Sequence, residues 1–245
     1  MLNLVKAELY KYSKRSFIYK LLIALIGLIA LMMLGINFFD GQGITREIII
    51  GSFGMTFNFI LMIVMVFAVV FLDDYREGTY KNIIVSNLTR TEIYLGKFIA
   101  QIILAFICMI ICIIALIIAL MFLPSDGMSI SLLSNIINRF LCSIPLYIAG
   151  ISIANLLAIT IKRGIIYLIY YLVIGNIGGI VWIMETFVWK KFNILNNILL
   201  TTLLSNVGSI NTSNITLLFS VLGGIIYTVI FTSIGIFIFN RQEIK

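Results

Sequence analysis

Few residue types in this chain could carry out catalysis. There is no histidine among the 245 residues. That removes the commonest general base and the commonest metal ligand near neutral pH, and with them Ser–His hydrolysis and histidine-ligated zinc. Asp73 and Asp74 are adjacent. Neighbours on a helix point about 100° apart, a poor arrangement for two carboxylates sharing a proton, so the pair reads as surface-level acids. Cys108 and Cys112 share a helix face at i, i+4, and Cys142 stands alone. All three lie in apolar runs, where a free thiol behaves as a small hydrophobe, so no metal site is expected. The single Gly-Lys pair is Gly96-Lys97, with Thr91 at the position of the first glycine and Phe98 after the lysine. A phosphate-binding loop needs G-x-x-x-x-G-K followed by Ser or Thr, so no nucleotide site is expected on this chain.

Polar chemistry is concentrated in residues 73–97, DDYREGTYKNIIVSNLTRTEIYLGK. Four acids and four bases are mixed there with an apolar stripe of Ile83, Ile84, Val85 and Leu88. An amphipathic helix with Tyr75 and Tyr80 could dock on a partner; a solvated loop is the plainer alternative. Elsewhere Asn58, Gln101, Asn155 and Asn176 fall inside apolar runs. Polar groups there either line a translocation path or bond helix to helix for about 1 kcal/mol each. Gly175-x-x-x-Gly179 permits close helix packing, and Pro145 predicts a kink.

The elements that must hold these residues are membrane helices. Apolar residues make up 62% of the chain and charged ones 11%, and the mean hydropathy is +1.15. Soluble domains run near 45–50% and about 25%, so the chain reads as an all-α integral membrane protein with a single domain over 1–245. Apolar runs of about 20 residues predict six spans at about 18–37, 48–72, 97–123, 136–161, 164–184 and 215–239. Residues 1–17 are amphipathic, with Leu2, Val5, Leu9 and Tyr12 at helical spacing and Lys6, Lys11, Lys14 and Arg15 on other faces. They predict a helix lying in the headgroup layer. The short basic turn Lys162-Arg163 makes spans four and five an antiparallel hairpin. Residues 185–214 predict one or two short outer helices, with Trp182 and Trp189 in the aromatic belt.

The net charge is +7, and its placement beside apolar runs points to topology and away from nucleic acid. One side of the membrane would hold Lys6, Lys11, Lys14, Arg15, Lys20, Arg76, Lys81, Arg90, Lys97, Lys162, Arg163, Arg241 and Lys245; the other would hold Arg46, Arg139, Lys190 and Lys191. This excess predicts both termini in the cytoplasm. Abundant Ile and Lys with scarce Ala and Pro suggest a low-GC bacterial source. No acid or base is expected deep in a span, which argues against a proton-coupled pump, and the halves show no inverted repeat.

Glu77-Gly78-Thr79-Tyr80-Lys81, then Ser86, Thr89-Arg90 and Tyr94-x-x-Lys97, resemble the loop between the second and third spans of ABC transporter type-2 permeases. That pattern is an acid, Gly-Thr, a base, a Ser/Pro turn, Ser/Thr-Arg, and a lysine opening the third span. Glu77, Gly78, Thr79, Lys81, Ser86, Arg90 and Lys97 match it; Asn87 and Leu88 stand where the proline is usual. The resemblance implies a short coupling helix within about 74–88, seated in a groove of an ABC ATPase subunit. Tyr75, Arg76, Glu77, Gly78, Tyr80, Lys81 and Arg90 would be the ATPase-coupling residues, and the N-terminal helix a second contact. It further implies a permease that is not an enzyme by itself. ATP and Mg would be bound by two copies of a separate subunit, and a second permease, identical or paralogous, would complete the unit in the bacterial cytoplasmic membrane. Permeases of this size resemble those of lantibiotic and bacitracin immunity and resistance, which implies export of an amphipathic peptide or lipophilic drug. The alternative is a stand-alone channel or secondary carrier with no ATPase.

Overall fold

The structure, a computed structural model, describes residues 1–40, 56–80, 88–122, 130–209 and 212–242. These are helical with no strand among them. Helix α1 spans Leu2–Ser13 and α2 spans Ser16–Asp40. Helix α3 spans Thr56–Glu77, α4 Arg90–Phe122, α5 Ile130–Ile161 and α6 Ile166–Phe187. A single 3-10 turn at Lys190–Phe192 leads to α7, Asn193–Asn196, and α8, Leu200–Gly208. Helix α9, Asn214–Arg241, closes the chain. Five helices among the described residues are long and apolar enough to cross a membrane: Thr56–Glu77, Arg90–Ala115, Ser134–Ile161, Ile166–Phe187 and Asn214–Arg241. Helix α2, 25 residues long, is apolar over Ser16–Gly27. The chain is a multi-pass helical membrane protein. The first part of the expected second span, the outer segments at 38–47 and around Pro124, and Lys81 and Ser86 fall wholly or partly outside the described residues.

Local signals place the helix ends. Thr89 and Glu92 form a reciprocal cap: Glu92 N–H donates to Thr89 Oγ1 (3.3 Å) and Thr89 N–H to Glu92 Oε2 (2.8 Å). Each satisfies an amide that the first helical turn leaves unpaired. Helix α4 therefore starts at Arg90, and Lys97, expected to open the span, lies well inside it. Helix α3 runs on to Glu77 and stops at Gly78, whose φ of +64° costs glycine nothing. The coupling segment expected as a separate helix within 74–88 thus begins as the last turn of α3. Lys162, at φ +57°, ends α5, and α6 returns from Ile166, as the short basic turn predicts.

Helices α5 and α9 pack along their length. They cross where Gly224 faces Pro145: a Cβ on Gly224 would lie 2.8 Å from the backbone of Pro145 and Leu146. Helix α3 tightens to a 3-10 turn at Met65–Ala68. Helix α1, of 12 residues, is too short to be stable alone. It buries Val5, Glu8 and Tyr12 against the start of α4, where Leu4 touches Gly96. The expected apolar stripe through Leu2 is displaced: Leu2 is exposed and the acid Glu8 is buried, because α1 docks on charged groups of α3 and α4. Helices α6 and α9 are the least covered spans, 22% and 11% buried over their apolar windows.

Candidate functional site: an ion-paired helix junction

Glu8, Lys11 and Arg15 recur at three- and four-residue steps, so helical geometry aligns them on one side of α1 and its extension. They meet Asp73, Asp74 and Glu77 at the end of α3, and Lys97 from α4. Lys97 Nζ pairs with both Glu8 and Asp74, and also donates to the Val70 carbonyl at 3.4 Å. Lys11 Nζ reaches Asp74 at 3.1 Å and Glu77 at 3.4 Å. Arg15 pairs with Asp73, and with Glu77 at 3.0 Å. Tyr12 donates its hydroxyl to Asp73 at 2.7 Å. Three cations therefore face four carboxylates.

The junction corrects one sequence expectation. Asp73 and Asp74 are 5% and 2% exposed, so they are not surface-level acids. The lateral divergence of neighbouring helix positions sends Asp73 to Tyr12 and Arg15, and Asp74 to Lys11 and Lys97. Lys97, about two turns from the start of α4, is fully buried. A buried charge persists only when paired, and the second partner comes from α1, 89 positions away. Burial works against the charge on Lys11, but Asp74, with Glu8 and Glu77, overcomes it and holds the ammonium above its ordinary value. Arg15 is raised likewise, against burial, chiefly by Asp73. The Tyr12 hydroxyl is pushed strongly upward, first by burial and then by its bond to Asp73, so it remains a donor.

The Glu77-Gly78-Thr79 step is a helix stop. The amides of Gly78 and Thr79 both return to the Asp74 carbonyl, and Thr79 Oγ1 donates to Asp74 Oδ1 at 2.8 Å. The expected coupling residues divide by placement. Arg76, Glu77 and Gly78 are exposed. Tyr75 is half-buried against Tyr80, ring centroids 4.5 Å apart. Tyr80 is 1% exposed, its hydroxyl held near the Phe71 carbonyl, and burial pushes its pKa well up. Its place is inside the junction and not on a docking face. Arg90 donates to the carbonyls of Asn240 and Gln242 at 2.8 and 2.7 Å. Lys81 lies outside the described residues.

Of the expected path residues, only Gln101 and Asn155 are brought together. Gln101 and Asn155 are fully buried and exchange amide bonds at 2.8 and 2.6 Å. Gln101 also donates to the Phe67 carbonyl in the 3-10 turn of α3 at 3.0 Å, so this pair joins three helices. Asn58 donates to Ser205 Oγ at 3.1 Å, linking α3 to α8. Asn176 is exposed on α6.

Glu8, Lys11, Tyr12, Arg15 and Gln242 were missed by sequence reasoning, which read the N-terminal charges against headgroups. The alignment of Glu8, Lys11 and Arg15 was the available signal. Arg139 was also undervalued: it is 8% exposed and donates to the carbonyls of Val207 (3.0 Å) and Ser209 (2.5 Å) and to Thr212 Oγ1 (2.8 Å), anchoring the end of α8. Among the described residues no group of His, Cys, Asp or Glu is arranged to hold a metal. Glu8, Asp73 and Asp74 are committed to partners of the same chain, while Glu77 pairs with Lys11 and Arg15 and stays exposed.

Residues 4–179 of the chain match the family model described as ABC-2 family transporter protein. The chain matches no curated protein.

Proposed function

This chain belongs to the ABC-2 family of transporter proteins, as a permease component acting with an ABC ATPase, and on that footing we propose that it is the membrane half of an exporter. The proposed arrangement is one permease domain over 1–245 with six spans, α2 being the first. Both termini face the bacterial cytoplasm, and the outer face of α1 lies in the headgroup layer. ATP and Mg bind to two ATPase subunits, and a second permease, identical or paralogous, completes the unit. The cargo class is an amphipathic peptide or lipophilic drug, as in antimicrobial-peptide immunity and resistance.

The observation that carries this reading is the ion-paired corner at Arg76, Glu77 and Gly78. It is exposed, carries mixed charge and continues directly into a spanning helix. The paired acids behind it tie it to α1 and α4, so a push at the corner moves α3 with both. A loosely attached loop would absorb that push. Arg76, Glu77 and Gly78 are assigned to the ATPase contact, with Lys81 beyond them; Tyr75, Tyr80 and Arg90 support the corner from inside. For the path, Asn176 is the favoured residue because it faces outward on a sparsely covered helix. Asn58, Gln101 and Asn155 serve helix contacts in this state.

The test is purification of the tagged chain in mild detergent and in lipid nanodiscs, with identification of what accompanies it. An ATPase subunit should appear at near-equal amount. Arg76→Glu should weaken its retention about tenfold, the scale of one lost charged contact, while the permease stays in the membrane. Absence of any ATPase from the nanodisc preparation would sink the exporter reading and favour a channel or carrier.

A further inference from the structure

Gln242, just past the end of α9, bonds to three other elements. Its side-chain oxygen accepts from the Tyr75 hydroxyl at 2.9 Å, at the end of α3. Its side-chain amide donates to the Ile159 carbonyl at 2.8 Å, in the last turn of α5. Its backbone carbonyl accepts from Arg90 at 2.7 Å, at the start of α4. The last four carbonyls of a helix have no partner within it. Gln242 therefore caps α5, while Arg90 caps α9 by bonding Asn240 and Gln242, a cation where the helix dipole favours one. Asn240 Nδ2 adds a bond to Thr91 Oγ1 at 3.3 Å. Aromatic packing fills the space beneath: Tyr80 lies 5.7 Å from Phe239, and Lys162 stands 5.1 Å over the Tyr75 ring.

Tyr75 and Arg90 bracket the α3–α4 connection. Both ends of that connection are therefore fastened to one residue, which is itself fastened to α5 and α9. The ion-paired junction holds the same corner from the side of α1. The Gln101–Asn155 and Arg90–Asn240 bonds already tie α4 to α5 and α9; the Gln242 contacts add the α3 end through Tyr75 and place all four ties at the connection itself. Helix capping alone would not require the Tyr75 bond, because Tyr75 lies on another helix and satisfies no terminal carbonyl of α5.

We infer that Gln242 is a positioning residue for energy coupling: it clasps the two ends of the α3–α4 connection to the ends of α5 and α9, so that displacement of the connection by the ATPase is delivered to four helices together. This rests on the permease reading above.

The test uses the full chain in lipid nanodiscs with the ATPase subunit that accompanies it. Gln242→Ala removes the Tyr75 and Ile159 bonds; Tyr75→Phe removes the first and leaves the α5 cap. Both variants should bind the ATPase at a half-saturating concentration within about twofold of the unaltered chain, while maximal ATP hydrolysis in the complex falls about tenfold, the worth of one buried hydrogen bond. Gln242→Glu keeps the acceptor for Tyr75 but sets a carboxylate oxygen against the Ile159 carbonyl at the end of α5, so it should restore only the part of that rate that the Tyr75 bond carries. Hydrogen exchange of the peptide covering 78–92, read on the permease alone, should quicken about tenfold in both variants. Unchanged hydrolysis with unchanged exchange in Tyr75→Phe overturns the clasp. A loss in Gln242→Ala that Tyr75→Phe does not share reduces Gln242 to a cap of α5 and overturns it too. If the unaltered chain recruits no ATPase, the permease reading falls, and the exchange measurement alone decides the clasp.

Discussion

Lys97 has no exposed surface, yet it is the hinge of a charge network. Its ammonium is held by Glu8 from α1 and Asp74 from α3. Removing one partner from a buried pair leaves an uncompensated charge and costs about 3–5 kcal/mol. Lys97→Met should therefore lower the thermal stability of the purified protein by about that amount, because Glu8 loses its cation while Asp74 keeps Lys11. Adding Glu8→Gln removes the stranded charge, so the double variant should melt above the single one. A double variant no better than Lys97→Met would show that Glu8 and Lys97 are not energetically coupled. The four acids and three bases involved were all visible in the sequence, but not their pairing. Glu8 and Lys97 are 89 positions apart, and no local rule brings them together.

Helix ends, unlike ion pairs, follow from short-range chemistry. Thr89 and Glu92 stand at the spacing of a reciprocal cap, and Glu77-Gly78 is a helix followed by the residue that best adopts a left-handed turn. A Cβ at Gly78 would meet no atom within 4 Å, so the only penalty of Gly78→Ala is conformational, about 1–2 kcal/mol. Gly78→Asn should cost less, since asparagine enters this region more readily. Comparing the melting temperatures of the two variants checks this; equal losses would mean the turn does not demand the left-handed conformation. Sequence reasoning read α1 against headgroups and did not see its other side, where Lys11 and Tyr12, with Arg15 just past the helix, meet acids at the end of α3 and Glu8 meets Lys97. Amphipathicity reports that a face is different; it does not report what lies opposite.

At the scale of the whole molecule, α5 and α9 form the most extensive helix pair among the described residues, and Gly224 is the close approach that lets them meet at Pro145. A methyl group there would press on backbone atoms of Pro145 and Leu146, which cannot rotate away. Gly224→Ala should destabilise by about 1–3 kcal/mol, the range for overpacking a tight contact. Gly179 has open space where a Cβ would go, so Gly179→Ala is the matched control and should melt like the unaltered chain. A loss at Gly224 no larger than at Gly179 would show that the two helices separate readily there. The same openness on α6 leaves that helix, with α9, among the least covered of the long apolar helices.

Hydropathy and end signals in the sequence determined the helical membrane class and the approximate bounds of the five long apolar helices; the helix stop at Glu77-Gly78-Thr79 is equally local, although the coupling helix expected within 74–88 ran across it. These are local or one-dimensional properties: twenty apolar residues must become a helix in lipid because no other backbone form satisfies its own hydrogen bonds there. The tertiary structure alone decided which polar side chains are buried with partners and which are left outside. It closed Gln101 on Asn155, drew Tyr80 beneath the surface, buried Lys97 between two carboxylates, and set Gln242 among three helices. Those outcomes depend on contacts between positions up to 167 apart, where the geometry of packed helices, and not the spacing along the chain, determines which donor meets which acceptor.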